Sequence, residues 1–349
     1  MKVLGLALAL SGVACSLPSS PSPRLDSPLE RQVFQRDERG GATVEVTGLL
    51  AANAASPEVR PVLADGTAMP WQRVAAADGE RFAVTVRVPE GGWHRLELRP
   101  SPGDRPTTVV QRFGVGEVFL TAGQSNATNW GDLSPWVSND RVSAFDGRVW
   151  SVARDPMPGV QDRSIGGSPW PRFGDLLQRD LGVPVGIAAV GHGDTSIFDW
   201  QPGAPPREGG PGGALYPVLC ERLAALRDVR AILWHQGERD AFLGVEEGRY
   251  VDAFASLRRA LAADTGLDPP WLVARASFEP GHRPAAMQQI RAAQTRLWAE
   301  SLARPGPDTD DLQGDLRAGD GVHFSRRGLE IHAERWHEAV RSYLRTAPD

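Results

Sequence analysis

The chain has 349 residues, enough for about two domains, and its 41% hydrophobic and 23% charged residues are the balance of a protein that folds around apolar cores. A formal net charge of -5, with no basic stripe and no run of like charge, argues against nucleic acid as a partner. Two cysteines, Cys15 and Cys220, are too few for a disulfide framework or a cysteine-based metal site.

Residues 1–15 carry the marks of an export signal. Lys2 gives a positive start, Val3 to Leu10 is apolar but too short to span a bilayer, and small residues lead to Cys15. A cysteine there resembles the lipidated residue of a bacterial lipoprotein, and cleavage after Ala14 is the alternative. The protein is therefore expected in the cell envelope or secreted, with membrane contact only through a lipid on Cys15. Residues 16–30, rich in Ser and Pro, are expected to be a tether.

Residues 31–113 alternate polar and apolar positions, as in Ala42-Thr-Val-Glu-Val-Thr47, Phe82-Ala-Val-Thr-Val-Arg-Val88 and His94-Arg-Leu-Glu-Leu-Arg99. Gly-rich turns separate them. The pattern predicts a small all-β sandwich domain, a packing unit or a carbohydrate-binding accessory.

From residue 114 to 349 the texture changes to α/β. Apolar strand candidates are Val115 to Ala122, Val183 to Val190, Ala231 to Trp234 and Trp271 to Ala276. Helical spacing groups Phe173, Leu177 and Leu181, then Tyr250, Phe254, Leu257 and Leu261, then Met287, Ile290 and Leu297, and last Leu329, Trp336, Val340 and Tyr343. Such alternation predicts a three-layer α/β/α domain around a parallel sheet, with its site beyond the carboxyl ends of the strands. The long stretch from Asn129 to Pro169, with Trp130, Trp136 and Trp150, is expected to wall that site.

Four short stretches carry chemistry: Gly123-Gln-Ser-Asn126, Gly191-His-Gly-Asp-Thr-Ser-Ile-Phe-Asp-Trp200, Trp234-His-Gln-Gly-Glu-Arg-Asp240 and Asp320-Gly-Val-His-Phe-Ser325. Three of them follow strand candidates and the fourth opens the last helix. Each alone has a structural explanation, such as a helix cap or a tight turn. Together they supply acyl transfer. Ser125 is the nucleophile, His323 the base that takes its proton, and Asp320 the acid that orients the imidazole. An oxyanion needs fixed donors: the Ser125 N–H, a glycine N–H of the second stretch, and a side-chain amide such as Gln236. No cofactor and no metal are needed.

These stretches resemble the blocks of the SGNH/GDSL hydrolase superfamily, and within it the carbohydrate-esterase branch of sialate O-acetylesterases and acetyl xylan esterases. The resemblance covers about Gly114 to Leu344. It implies an SGNH-type α/β/α domain, a Ser125–His323–Asp320 triad with Glu238 as the competing acid, and an oxyanion hole of Ser125, Gly193 and Gln236, with Gly191 as the other glycine. Gln124, Asn126 and Trp200 are expected to touch substrate. The expected activity is that of an exported serine esterase that removes O-acetyl groups from a glycan. The rivals are an SGNH lipid or aryl esterase and a non-catalytic glycan-binding surface protein.

Overall fold

The computed structural model describes residues 24–49, 57–74, 76–77, 81–106, 108–133, 135–207, 214–281 and 283–346. The expected export signal, Cys15 and residues 16–23 of the expected tether lie outside them.

Among the described residues up to Arg99 every regular element is a strand: β1 (Arg24–Ser27), β2 (Gln32–Gln35), β3 (Gly41–Leu49), β4 (Glu58–Val62), β5 (Gln72–Arg73), β6 (Ala76–Ala77), β7 (Arg81–Pro89) and β8 (Gly91–Arg99). The end of the expected tether is not a linker, since β1 pairs antiparallel with β3. β1, β3, β7 and β6 form one sheet in that order. β4 and β8 pair antiparallel in a second. Alternation decides which side chains meet between them, because successive residues of a strand face opposite ways. Val44, Val46, Val86 and Val88 from the first sheet share a buried cluster with Val59, Leu96, Leu98 and Phe113 from the second.

The strand β9 (Thr108–Gly123) departs from the expected division. A boundary between residues 113 and 114 would fall inside it. Its first part pairs with β8 and, in parallel, with β2, where Gln32 lies opposite Phe113. Its second part enters the α/β sheet, so an eleven-stranded mixed sheet serves both halves. Gly116, inside this strand, marks a close approach of two backbones. A Cβ on Gly116 would stand 2.0 Å from the Pro184 carbonyl oxygen.

The second half contains β10 (Val142–Phe145), β11 (Trp150–Val152), α1 (Trp170–Leu181), β12 (Val185–Ala189), α2 (Leu215–Leu226), β13 (Ala231–His235), α3 (Glu238–Leu243), α4 (Glu247–Thr265), β14 (Trp271–Arg275), α5 (Pro284–Ala299), β15 (Arg304–Asp308) and α6 (Arg326–Thr346). The strand order is β11-β10-β12-β9-β13-β14-β15. Neighbours from β10 to β15 are parallel, and β11 is antiparallel to β10.

Helices cover both faces. Leu120, Ala188 and Trp234 pack with Leu219 of α2, Phe254 of α4 and Leu297 of α5. Phe119, Ile187 and Leu233 pack with Phe173 of α1 and Trp336 of α6. Each fully buried Leu or Phe here contributes roughly 1.5–3 kcal/mol. Cys220 on α2 is half-buried against the first of these clusters. β9 lies between β12 and β13, so the loops that follow these strands converge on one crevice.

Candidate active site

The serine turn begins where β9 must stop. Gly123 has φ +130°, and a Cβ there would stand 2.0 Å from the His235 carbonyl oxygen on neighbouring β13. Only glycine fits that approach. The Gln124 N–H donates to the same oxygen at 2.9 Å, and residues 125–127 make a single 3-10 turn. Ser125 is almost buried. It borders a cavity of about 590 Å³ whose walls also include Gln124, Trp130, His192, Glu238 and His323.

His323 and Asp320 come from the tight turn before α6. The His323 Nδ1 faces Asp320 Oδ2 at 2.6 Å, while Asp320 Oδ1 accepts the N–H groups of Val322 and His323 at 2.9 and 3.0 Å. Burial pushes the Asp320 carboxyl up, but these donors outweigh it and hold the group below its usual range. With Nδ1–H donated to the carboxylate, Nε2 is left as the basic atom. Ser125 Oγ and His323 Nε2 share the cavity but are not hydrogen-bonded in this structure. Contacts of this kind are often looser than ~3.2 Å before substrate closes the site.

Glu238, the competing acid, is engaged elsewhere. Its Oε1 accepts from Asn126 Nδ2 at 3.0 Å and faces His235 Nε2 at 3.2 Å. His235 Nδ1 meets His332 Nε2 at 3.1 Å, which also receives the Trp336 indole N–H at 3.0 Å. Burial raises the Glu238 carboxyl, yet the charge and hydrogen bond of His235 and the Asn126 amide leave it lowered. Burial drives the His332 imidazole well down, to the neutral form. Glu238 Oε2 has no partner and Glu238 borders the cavity.

The expected oxyanion donors are corrected at two positions. Gln236 is fully buried, and its amide donates to the Thr195 carbonyl at 2.9 Å and to Asp240 while its Oε1 receives the Tyr250 hydroxyl at 2.9 Å. It has no donor left for the cavity. The Gly193 N–H donates to Asp162 Oδ2 at 2.7 Å and is likewise committed. The Gly191 carbonyl holds the Gln161 N–H at 2.7 Å. Gln124, by contrast, has its Oε1 fixed by the N–H groups of Gly237 and Arg239 at 3.2 and 3.1 Å. Its NH2 donates to no atom among the described residues and stands at the cavity wall. The backbone N–H groups of Ser125 and Asp194 are also without an acceptor among the described residues.

Two expected substrate contacts are corrected as well. Asn126 turns its amide inward to Glu238. Trp200 is fully buried, 5.1 Å edge-to-face from Trp234, with its indole N–H on Thr195 Oγ1. An aromatic seven residues beyond a loop glycine is core here. His192 does reach the cavity. Its Nδ1 donates to the Gly193 carbonyl at 2.8 Å, and Nε2 is buried without a partner. Among the described residues no cluster of His, Cys, Asp and Glu could hold a metal ion.

Residues 115–341, well over half of the chain, match a family model described as carbohydrate esterase, sialic acid-specific acetylesterase. The chain belongs to this family. It is a carbohydrate esterase, and so a carboxylic ester hydrolase. No curated protein matches it by sequence. Among solved structures, a carbohydrate acetylesterase from Xanthomonas citri superposes with a TM-score of 0.60 at 21% identity, covering 91% of this chain and 74% of that one. A protein from Arabidopsis thaliana gives 0.49 at 18% identity, over 66% and 98%. A family two carbohydrate esterase from Clostridium thermocellum gives 0.44 at 11%, over 93% and 99%. At 21% identity the likeness to the Xanthomonas citri enzyme is one of fold.

One residue of this esterase's site went unread in the sequence. Asp162, in the long loop after Asn129, places Oδ2 under the Gly193 N–H, the Trp130 indole N–H at 3.0 Å and Thr128 Oγ1 at 3.0 Å. Thr128 Oγ1 also bonds the Ser125 carbonyl at 3.0 Å. One carboxylate thus ties the serine turn, the second stretch and the long loop together. The only local hint was Asp162-Arg-Ser164, an acid followed two residues later by a hydroxyl that bonds it.

Proposed function

We propose that this esterase removes O-acetyl groups from a sugar through a covalent acetyl-Ser125 intermediate. Ser125 Oγ attacks the acetyl carbonyl carbon and its proton passes to His323 Nε2. Asp320 keeps the ring oriented through Nδ1–H and faces the positive charge that develops on it. The tetrahedral oxyanion takes hydrogen bonds from the Ser125 N–H, the Gln124 amide and the Asp194 N–H. Collapse breaks the bond to the sugar oxygen, which takes the proton from His323. Water then attacks the acetyl carbonyl, gives its proton to His323, and acetate leaves as that proton returns to Ser125.

The observation that carries this reading is the 2.6 Å His323–Asp320 contact on the cavity that Ser125 borders. Sugar as the alcohol is supported by the family. Export follows from the character of residues 1–15 and is part of the proposal.

The test is acetate release from O-acetylated sialic acid, xylan, pectin and peptidoglycan, beside short- and long-chain aryl esters. The expected result is release from at least one acetylated sugar at a higher kcat/KM than from any long-chain ester. A preference for long chains would replace the sugar with a lipid.

A further inference from the structure

Trp130 sits on the long loop expected to wall the site, with 47% of its surface exposed. One of its faces is already taken. The indole lies 5.2 Å, centroid to centroid, from the His323 ring, with 22° between the planes. Its N–H is anchored on Asp162 at 3.0 Å, and Asp162 is in turn hydrogen-bonded to Thr128 and Gly193. A side chain that only walled the substrate would need neither contact.

We propose that Trp130 is a positioning residue of the general base, holding the His323 ring in plane and stabilising its imidazolium form. The inference rests on the serine–histidine reading above. In that reaction the Ser125 Oγ–H bond breaks and the proton moves to His323 Nε2, so the ring becomes a cation while the serine oxygen bonds to carbon. An indole face carries negative quadrupole charge and attracts a cation within about 6 Å of its centroid. Neutral imidazole gains less from that face, so the contact favours the protonated ring. The Asp162 carboxylate on the indole N–H polarises the ring in the same sense.

Besides Asp320 on Nδ1, the charged groups bordering this cavity are Asp162, Asp194, Glu238 and Glu279 and the guanidinium groups of Arg163, Arg207 and Arg239. All of them remain in variants at position 130, and Trp130→Phe and Trp130→Leu both lose the N–H on Asp162, so the difference between the two variants reports on the π face.

The experiment compares pH profiles of kcat/KM for an aryl acetate in the intact enzyme, Trp130→Phe and Trp130→Leu. His323 must be neutral to accept the proton, so kcat/KM falls along an acid limb of its pH profile. Removing a group that favours the charged form moves that acid limb to lower pH. The expected shift for Trp130→Leu is about half a unit, with kcat on the plateau down roughly fivefold. Trp130→Phe has a weaker π face and moves the limb the same way by less, which keeps the test where the leucine variant does not fold.

An unmoved limb in both variants overturns the inference. So does a rise in KM for an acetylated sugar with kcat and the limb unchanged, which is the mark of a substrate wall. If Ser125→Ala is as active as the intact enzyme, the serine reading falls and takes this inference with it. If Ser125→Ala is inactive and the limb stays put, this inference falls alone.

Discussion

Two acid–histidine pairs stand within this site, and each spans three residues of sequence. Asp320 and His323 are at the surface, their side chains 48% and 15% exposed, and their hydrogen bonds use one ring nitrogen and leave the other. His235 and Glu238 are 0% and 4% exposed, and both ring nitrogens are occupied, one by Glu238 and one by His332. The same spacing therefore yields a histidine with one ring nitrogen left open on the cavity and a brace beneath the serine turn. Burial and the second ring nitrogen decide between them. A histidine with both nitrogens engaged has no lone pair to offer a substrate.

Breaking this comparison starts with Ser125, the proposed nucleophile. Ser125→Ala is expected to lose at least ~10³-fold in turnover of a short acetyl ester, as removal of a triad member does. Asp320→Asn should lose on the order of 10²–10⁴-fold in kcat with its melting temperature little changed, because the ring loses its orienting acceptor. If Glu238→Gln instead abolishes turnover while Asp320→Asn is spared, the roles of the two acids are reversed.

The buried pair is read by unfolding. Glu238→Ala leaves His235 without its acceptor and should cost about 3–5 kcal/mol in denaturant titrations. Asp320→Ala, half in solvent, should cost under about 1 kcal/mol.

A third acid sharpens the role of the partner. Asp155 is buried, accepts from the Trp136 N–H and from Ser168 N–H and Oγ, and pairs with no cation among the described residues, and burial pushes its carboxyl up to about 6. A raised acid favours the protonated native state, so its contribution is present at low pH and is lost as pH rises through about 6. Asp155→Asn should therefore destabilise the protein by about 1 kcal/mol more at pH 5 than at pH 8. Equal effects at both pH values would show that the carboxyl is already ionised.

The α/β alternation was legible because buried parallel strands are written as unbroken apolar runs, and β12, β13 and β14 fall within a residue or two of their expected limits. Ser125, His323 and Asp320, the residues proposed as nucleophile, base and acid, stand in short stretches that can be read directly along the chain. What the sequence hid was the fate of individual donors. Gln124 and Gln236 are indistinguishable as residue types; Tyr250 and Asp240 arriving around one of them decide that the other faces the cavity. Asp162 captures the Gly193 N–H from a loop about thirty residues earlier, which no local pattern announces. β15 reads Arg304-Pro-Gly-Pro-Asp308, a sequence that argues against a strand, and it survives because it pairs on one side only, with β14.

The long strand β9 joins what sequence texture divided. Sixteen residues at the rise of a strand reach about 50 Å. Its far end is knitted into the valine-rich layers of the first half, and its near end stops two residues short of Ser125. A surface that gripped the first half would hold the catalytic mouth at a set stand-off, much as a handle holds a blade.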